Sequence, residues 1–465
     1  MNQEDALRSE IHRALDAISD PTPELMPEIA QRLRPVSRRR PLLAIGQVAA
    51  VLAVALVIGA VAFSIHRARV TPAPVTTSPT APIVAGPGAN IAWVTSQQAS
   101  GGAYTGDLVT GIDPTGHVVG RINARDELRS PDGSHLYALV DGGVDVYSAV
   151  DGHKEQTIHL QPVTSGQPML SADGHYFAVV GNSPSTLQLV DLSAGRSVAS
   201  TNVGLPAYGV PLIVGVQAQH VYVVGATIAK FAFDGTSLRL EQPTTGQTIA
   251  CNGLVVGGPN SAGGLPFRVL ADGRTLVAFC PGDGRVTWFD LVSMTVVHEV
   301  AVSQRNPFWV SPVFSADGNT LYLHEGGTGA LHVIDLVHEK IVKSTTVATA
   351  DTNPFAWLRS LLVTDAYAGG IDRTAAVSPD GTWLYVIGDF GAPGGVSLVH
   401  LPDLAVKGRW LPDVSFNSVW VSADGRTIYL LGNGDELRVL RADGSEVAKL
   451  SLPANTFGFI VPTIP

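Results

Sequence analysis

Short runs of apolar residues, five or six long and separated by turn residues, recur through most of this chain. Many are apolar at nearly every position, as in Ile428-Tyr429-Leu430-Leu431 and Val221-Tyr222-Val223-Val224. A sheet with one wet face alternates apolar and polar residues, so continuous apolar strands predict a sheet covered on both faces. The punctuation between them is regular. Ser-(Ala/Pro)-Asp-Gly occurs at 130–133, 171–174, 315–318, 378–381 and 422–425, with a degenerate Leu-Ala-Asp-Gly at 270–273. The aspartates, at 132, 173, 272, 317, 380 and 424, are separated by 41, 99, 45, 63 and 44 residues. The unit is therefore in the low forties, with one copy of the motif skipped and one insertion. Asp-Gly supplies positive φ at low cost, and Ser or Asp caps the turn by bonding backbone amides. We read the aspartates as turn formers rather than metal ligands, and Asp191, Asp290 and Asp335 at the ends of third strands likewise.

Each unit carries four short strands, and four-stranded sheets packed face to face around an axis form a β-propeller. Six units follow the Asp-Gly turns. A seventh, near 209–240, lacks the motif but keeps its strands. The eighth is an N-terminal piece (Ile91–Val94, Leu108–Ile112, His117–Ile122) without an inner strand, which Thr456–Val461 at the chain end can supply. The expectation is an all-β propeller of four-stranded blades over 88–465, eight by count and seven if the 209–240 unit or the N-terminal piece is irregular.

A different pattern precedes it. Leu42 to Ile65 is a run of 24 residues without a charge. As a helix it is about 36 Å long, enough to cross a hydrocarbon core of roughly 30 Å. Arg32, Arg34, Arg38, Arg39 and Arg40 precede it and only Arg67 and Arg69 follow closely. That asymmetry predicts a single-pass signal-anchor over 41–65 in the cell membrane, with 1–40 cytoplasmic and the rest extracytoplasmic. Residues 66–87 are rich in Pro and Thr and read as a semi-rigid linker. Within 1–40, Leu7, Ile11, Leu15 and Ile18 form one helical stripe and Leu25, Ile29 and Leu33 a second. They predict a helical segment, either lying at the membrane surface or docking a cytoplasmic partner.

Charge and chemistry narrow the function. Residues 88–465 hold 21 basic and 33 acidic side chains, a net of −12, which repels a phosphate backbone and excludes nucleic acid as an expected partner. No G-x-S-x-G, H-E-x-x-H or G-x-x-x-x-G-K-[ST] pattern is present, and the 13 His are scattered. No catalytic residue, metal or cofactor is therefore expected. Cys251 and Cys280 are the only cysteines, and an oxidising compartment allows them to pair. The 63-residue spacing contains an insertion bearing Phe355, Trp357, Arg359, Tyr367 and Arg373. The connection one blade earlier bears Phe308 and Trp309, so that Asn-Pro-Phe recurs at 306–308 and 353–355. Aromatic residues with Arg on long loops are the usual anchors of recognition surfaces, so these seven are candidate ligand-binding residues; blade-plugging is the alternative.

The Ser-(Pro/Ala)-Asp-Gly turns, with strands such as Leu384-Tyr385-Val386 and Val333-Ile334-Asp335-Leu336, resemble the YVTN/WD40-like bacterial β-propellers over roughly residues 89–462. That resemblance implies the fold, in a superfamily that spans binding scaffolds, lactonases, quinoprotein subunits and regulators. Residues 1–70 also resemble the start of membrane-anchored bacterial proteins, some anti-sigma-type regulators among them. The reading that follows is a non-enzymatic, membrane-tethered scaffold that binds an unidentified protein or small molecule at the propeller face. The alternatives are an anti-sigma-like transmembrane regulator with a sensory propeller, and a propeller hydrolase or lactonase.

Overall fold

The computed structural model describes residues 84–462 except 101–102, 162–165, 183–184, 204–209, 215–218, 225–227, 243–266, 281–283, 303–309, 316, 326–328, 348–373, 388–393 and 433–434. The expected cytoplasmic segment, the membrane span and most of the linker lie outside the described residues. Among the described residues no helix is long and apolar enough to cross a membrane.

Among the described residues thirty-one strands form eight four-stranded antiparallel blades. Blade 1 contains β1 (Ala92–Ser100), β2 (Ala103–Ile112) and the first half of β3 (Val118–Arg129). The second half of β3 opens blade 2, followed by β4 (His135–Val140), β5 (Gly143–Ser148) and β6 (Lys154–His159). Blade 3 is β7 (Gly166–Leu170), β8 (Tyr176–Asn182), β9 (Ser185–Asp191) and β10 (Arg196–Asn202). Blade 4, the unit without the motif, is β11 (Val210–Val214), β12 (His220–Val224), β13 (Ile228–Phe233) and β14 (Leu238–Gln242). Blade 5 is β15 (Phe267–Val269), β16 (Thr275–Cys280), β17 (Arg285–Asp290) and β18 (Thr295–Ala301). Blade 6 is β19 (Val310–Phe314), β20 (Thr320–Glu325), β21 (Ala330–Asp335) and β22 (Lys340–Thr346). Blade 7 is β23 (Ala375–Val377), β24 (Trp383–Ile387), β25 (Val396–His400) and β26 (Ala405–Trp410). Blade 8 is β27 (Phe416–Val421), β28 (Thr427–Gly432), β29 (Glu436–Arg441) and β30 (Glu446–Ser451). The last strand, β31 (Thr456–Ile460), returns to pair with β1 and supplies the inner strand of blade 1, so eight blades and the expected closure are both present.

Burial is lowest on the outermost strands. β28 is buried along its whole length, whereas the outer strands β6 and β22 are mostly exposed. Among the described residues the core divides into eight clusters, seven shared by two neighbouring blades and one, which includes Met169, by blades 3, 4 and 5. Tyr137 and Leu139 of blade 2 pack with Phe177 and Val179 of blade 3. Trp420 and Tyr429 of blade 8 pack with Val94, Ile112 and Phe459 of blade 1, which closes the ring. Burying one such side chain contributes roughly 1.5–3 kcal/mol, so each junction is held by many of these contributions. Buried aromatic donors add directed bonds between blades. Trp93 Nε1 donates to Ala149 O at 3.0 Å, and Trp288 Nε1 to Leu336 O at 2.9 Å.

The sequence predicts a strand over 117–122; β3 instead runs on to Arg129. Its Val118–Ala124 half pairs with β2 and its Arg125–Arg129 part with β4. A bulge lies between Arg125 and Glu127, where Asp126 takes φ 46°. One strand thus serves as outer strand of blade 1 and inner strand of blade 2, with the bulge supplying the bend.

Candidate functional site

Strand direction sorts the connections onto two faces. In each blade the first turn and the third-to-fourth turn lie at one end. The second-to-third turn and the crossing to the next blade lie at the other, here called the crossover face. The strands flanking 303–309 and 348–373 end on the crossover face. The candidate binding residues Phe308, Trp309, Phe355, Trp357, Arg359, Tyr367 and Arg373 all lie outside the described residues, as does Cys251. Cys280, at the crossover end of β16, is buried and disulfide-bonded.

Two polar residues near the crossover ends of β19 and β20 are buried. Ser311 of β19 and His324 of β20 are cross-strand partners, so their side chains share one face of blade 6. Ser311 Oγ accepts bonds from Thr374 Oγ1 at 2.6 Å and Thr374 N at 3.2 Å, which ties the inner edge of blade 6 to the start of blade 7. His324 is 1% exposed, and among the described residues neither ring nitrogen has a hydrogen-bond partner. Burial pushes its pKa down to about 4, so the imidazole is neutral at pH 7. On the opposite face of the sheet Glu325 Oε1 lies 3.4 Å from His332 Nε2, and His332 Nδ1 lies 2.8 Å from Ser344 Oγ.

A second buried polar group sits at the junction of blades 1 and 2, next to the β3 bulge. Glu127 is fully buried, and its Oε1 accepts a 2.6 Å bond from Thr95 Oγ1. Burial, with the nearby Asp107 carboxylate as a smaller contribution, pushes its pKa up to about 8. At pH 7 this carboxyl is therefore mostly protonated. Beside it Ser96 Oγ and Thr456 Oγ1 meet at 2.6 Å across the closing pair of strands.

Perturbed ionisable groups are the usual material of functional sites. Glu127 and His324 belong to different blade junctions, however, and do not act on one bound atom together. Neither was singled out from the sequence. The available signal was a charged or imidazole residue inside a strand ending, Glu127 before Leu-Arg-Ser-Pro-Asp-Gly and His324 closing Leu-Tyr-Leu-His.

The opposite face is built from the repeated turns, and there the aspartates act as read from the sequence. Ser130, Ser171, Ser315 and Ser422 each donate Oγ–H to the Asp two residues on, at 2.5–2.6 Å. The same oxygens accept the N–H five residues on, at 2.9–3.0 Å. The Ser315 and Ser378 hydroxyls hold Asp317 and Asp380 below the usual carboxylate range. Asp191, Asp290 and Asp335 accept turn amides in the same way. Among the described residues no group of three or more His, Cys, Asp or Glu converges to hold a metal ion.

Two arginines reach this face from inner strands. Arg129 is fully buried, donates to Gly88 O at 2.5 Å and Gly133 O at 3.4 Å, and lies 5.4 Å from the Trp420 ring centroid. Arg268 donates to Ser315 O at 3.3 Å and lies 5.6 Å from the Phe314 ring.

Neither a family model nor a curated protein matches this chain. Solved structures of similar fold include the dihydro-heme d1 dehydrogenase NirN in complex with DHE, with a TM-score of 0.55 at 18% identity, over 84% of this chain and 79% of that one. BamB from Moraxella catarrhalis aligns with a TM-score of 0.46 at 13% identity, over 71% of this chain and 91% of that one. A candidate 6-phosphogluconolactonase from Bacteroides fragilis aligns with 0.44 at 12% identity, over 80% and 98%. At 18% identity the likeness to NirN is one of fold alone.

Proposed function

We propose that this protein is a membrane-tethered, non-enzymatic binding scaffold. Its propeller stands outside the cytoplasm and takes a protein or small molecule on the crossover face. The observation that carries the reading is the order of parts in one chain: five arginines, 24 residues without a charge, a Pro-rich stretch and then a rigid ring. Loops set on such a ring keep a fixed geometry, which suits recognition. The aromatic and Arg residues at 308–309 and 355–373 supply recognition chemistry without a nucleophile–base pair.

Two measurements test it. Protease added to intact cells should degrade a C-terminally tagged chain and spare an N-terminal tag; the reverse pattern refutes the tethering. Capture on the full-length protein should then return a partner that the Trp357→Ala, Arg359→Ala variant loses; equal capture by both refutes the assignment of the face. The stripe Leu7, Ile11, Leu15 and Ile18 favours a second reading, in which residues 1–40 carry a signal to a cytoplasmic partner. Deleting 3–34 should then abolish function, and wild-type behaviour of that deletion ends the regulator reading.

A further inference from the structure

The face opposite the crossovers carries a cavity of about 370 Å³ between blades 7 and 8. That is within the range of roughly 300–1,000 Å³ usual for small-molecule sites. Trp383, Tyr385 and Leu398 of blade 7 form one wall. The turns Ser378–Asp380 and Asp424–Gly425, with Ala442, form the other sides. Adjacent turns touch above it, where Pro379 Cδ lies 3.4 Å from the position a Cβ on Gly425 would take. Two exposed carboxylates, Asp380 and Asp424, therefore flank a pocket with an aromatic wall. Arg426 and Arg441, the nearest cations in sequence, do not line it.

The same chain shows twice what such surroundings hold. Arg129 places its guanidinium against Trp420 and donates to Gly133 O of the first Ser-Pro-Asp-Gly turn. Arg268 does so against Phe314 and donates to Ser315 O of another such turn. Blades 7 and 8 set an aromatic wall, two such turns and two carboxylates around a cavity. We infer that this pocket binds an organic cation, an ammonium or guanidinium group carried on an apolar or aromatic stem. The stem packs on Trp383, Tyr385 and Leu398, the charge faces Asp380 and Asp424, and the ring's net charge of −12 draws cations toward it. This holds whether or not the crossover face binds a partner.

Calorimetric titration of the full-length protein with benzyltrimethylammonium and with its uncharged isostere neopentylbenzene tests the inference. Saturable binding of the cation, tighter than the isostere by about fivefold or more, is expected from a partly desolvated cation–π and carboxylate site. Equal affinities, or no binding of either probe, overturn it. A capped Gly-Arg-Gly peptide, against its citrulline counterpart, distinguishes a basic side chain of a protein from a free small cation as the natural source. Whichever cation binds more tightly identifies the source. Ala442→Phe, at an exposed position, should fill the pocket and abolish cation binding while leaving the melting midpoint unchanged; undiminished binding by that variant overturns the location. Asp380→Asn with Asp424→Asn keeps the Oδ1 acceptors of both turns and should lower cation affinity toward that of the isostere, leaving the cation–π share; unchanged affinity overturns the role of the carboxylates. The isostere comparison on the unaltered protein stands even if that double variant fails to fold.

Discussion

Replacing Glu127 with glutamine should make the protein more stable at neutral pH. The folded chain holds this carboxyl protonated up to about pH 8, whereas in the unfolded chain it ionises near 4.5. Between those values the folded state binds the extra proton, so stability is fully present below about 4.5 and is lost as pH rises toward 8. At pH 7 the difference is about two and a half pKa units, or roughly 3 kcal/mol at about 1.4 kcal/mol per unit. Glutamine has nearly the same shape, keeps an oxygen to accept the 2.6 Å bond from Thr95, and carries no proton to lose. Urea midpoints of the parent and Glu127→Gln proteins, followed by circular dichroism at pH 5, 7 and 8.5, should separate progressively with pH. The variant should gain up to roughly 3 kcal/mol at pH 7 and little at pH 5. A gap that does not change with pH, or a variant weaker than the parent at pH 7, would refute the claim that burial governs this carboxyl.

Three further outcomes are expected. His324 has the opposite dependence: the unfolded chain takes up a proton near 6.5 and the folded one only near 4, so stability falls by roughly 3 kcal/mol as pH drops across that window. His324→Leu should flatten the acid limb of the midpoint–pH curve, and an unchanged limb would contradict this. Gly120→Ala should lower the melting midpoint sharply, because its Cβ would lie 2.2 Å from Asp151 O, whereas Gly408→Ala, with nothing within 4 Å, should leave it unchanged or raised; equal shifts would count against the packing argument. Thr456→Val removes the hydroxyl that meets Ser96 across the ring closure and should cost about 1–2 kcal/mol in urea unfolding, and no loss would show that the strand pairing alone secures the closure.

The propeller was legible because its turns repeat a local chemistry. Ser-x-Asp-Gly closes its bonds within six residues, so each copy announces itself without reference to the rest of the fold. Blade 4 was legible without the motif because β12 keeps a buried apolar run and β13 an apolar-rich strand beside it. The chain-end strand showed itself by being one strand too many for blade 8 and one too few for blade 1. Glu127 and His324 were not legible as buried groups. A charged or imidazole residue ordinarily reads as solvated, and what buries Glu127 is a bulge at Asp126, a backbone event with no short sequence signature. The length of β3 was missed for the same reason, since the bulge joins into one strand what the repeat pattern reads as two.

The shared closure of blade 1 sets a schedule. Ser96 is made 360 residues before Thr456, the residue it meets. At roughly 5–20 residues per second, synthesis leaves β1 without its inner neighbour for about 20–70 s. Through that interval blade 1 presents a bare hydrogen-bonding rim to whatever chains surround it, and the arrival of β31 ends the exposure.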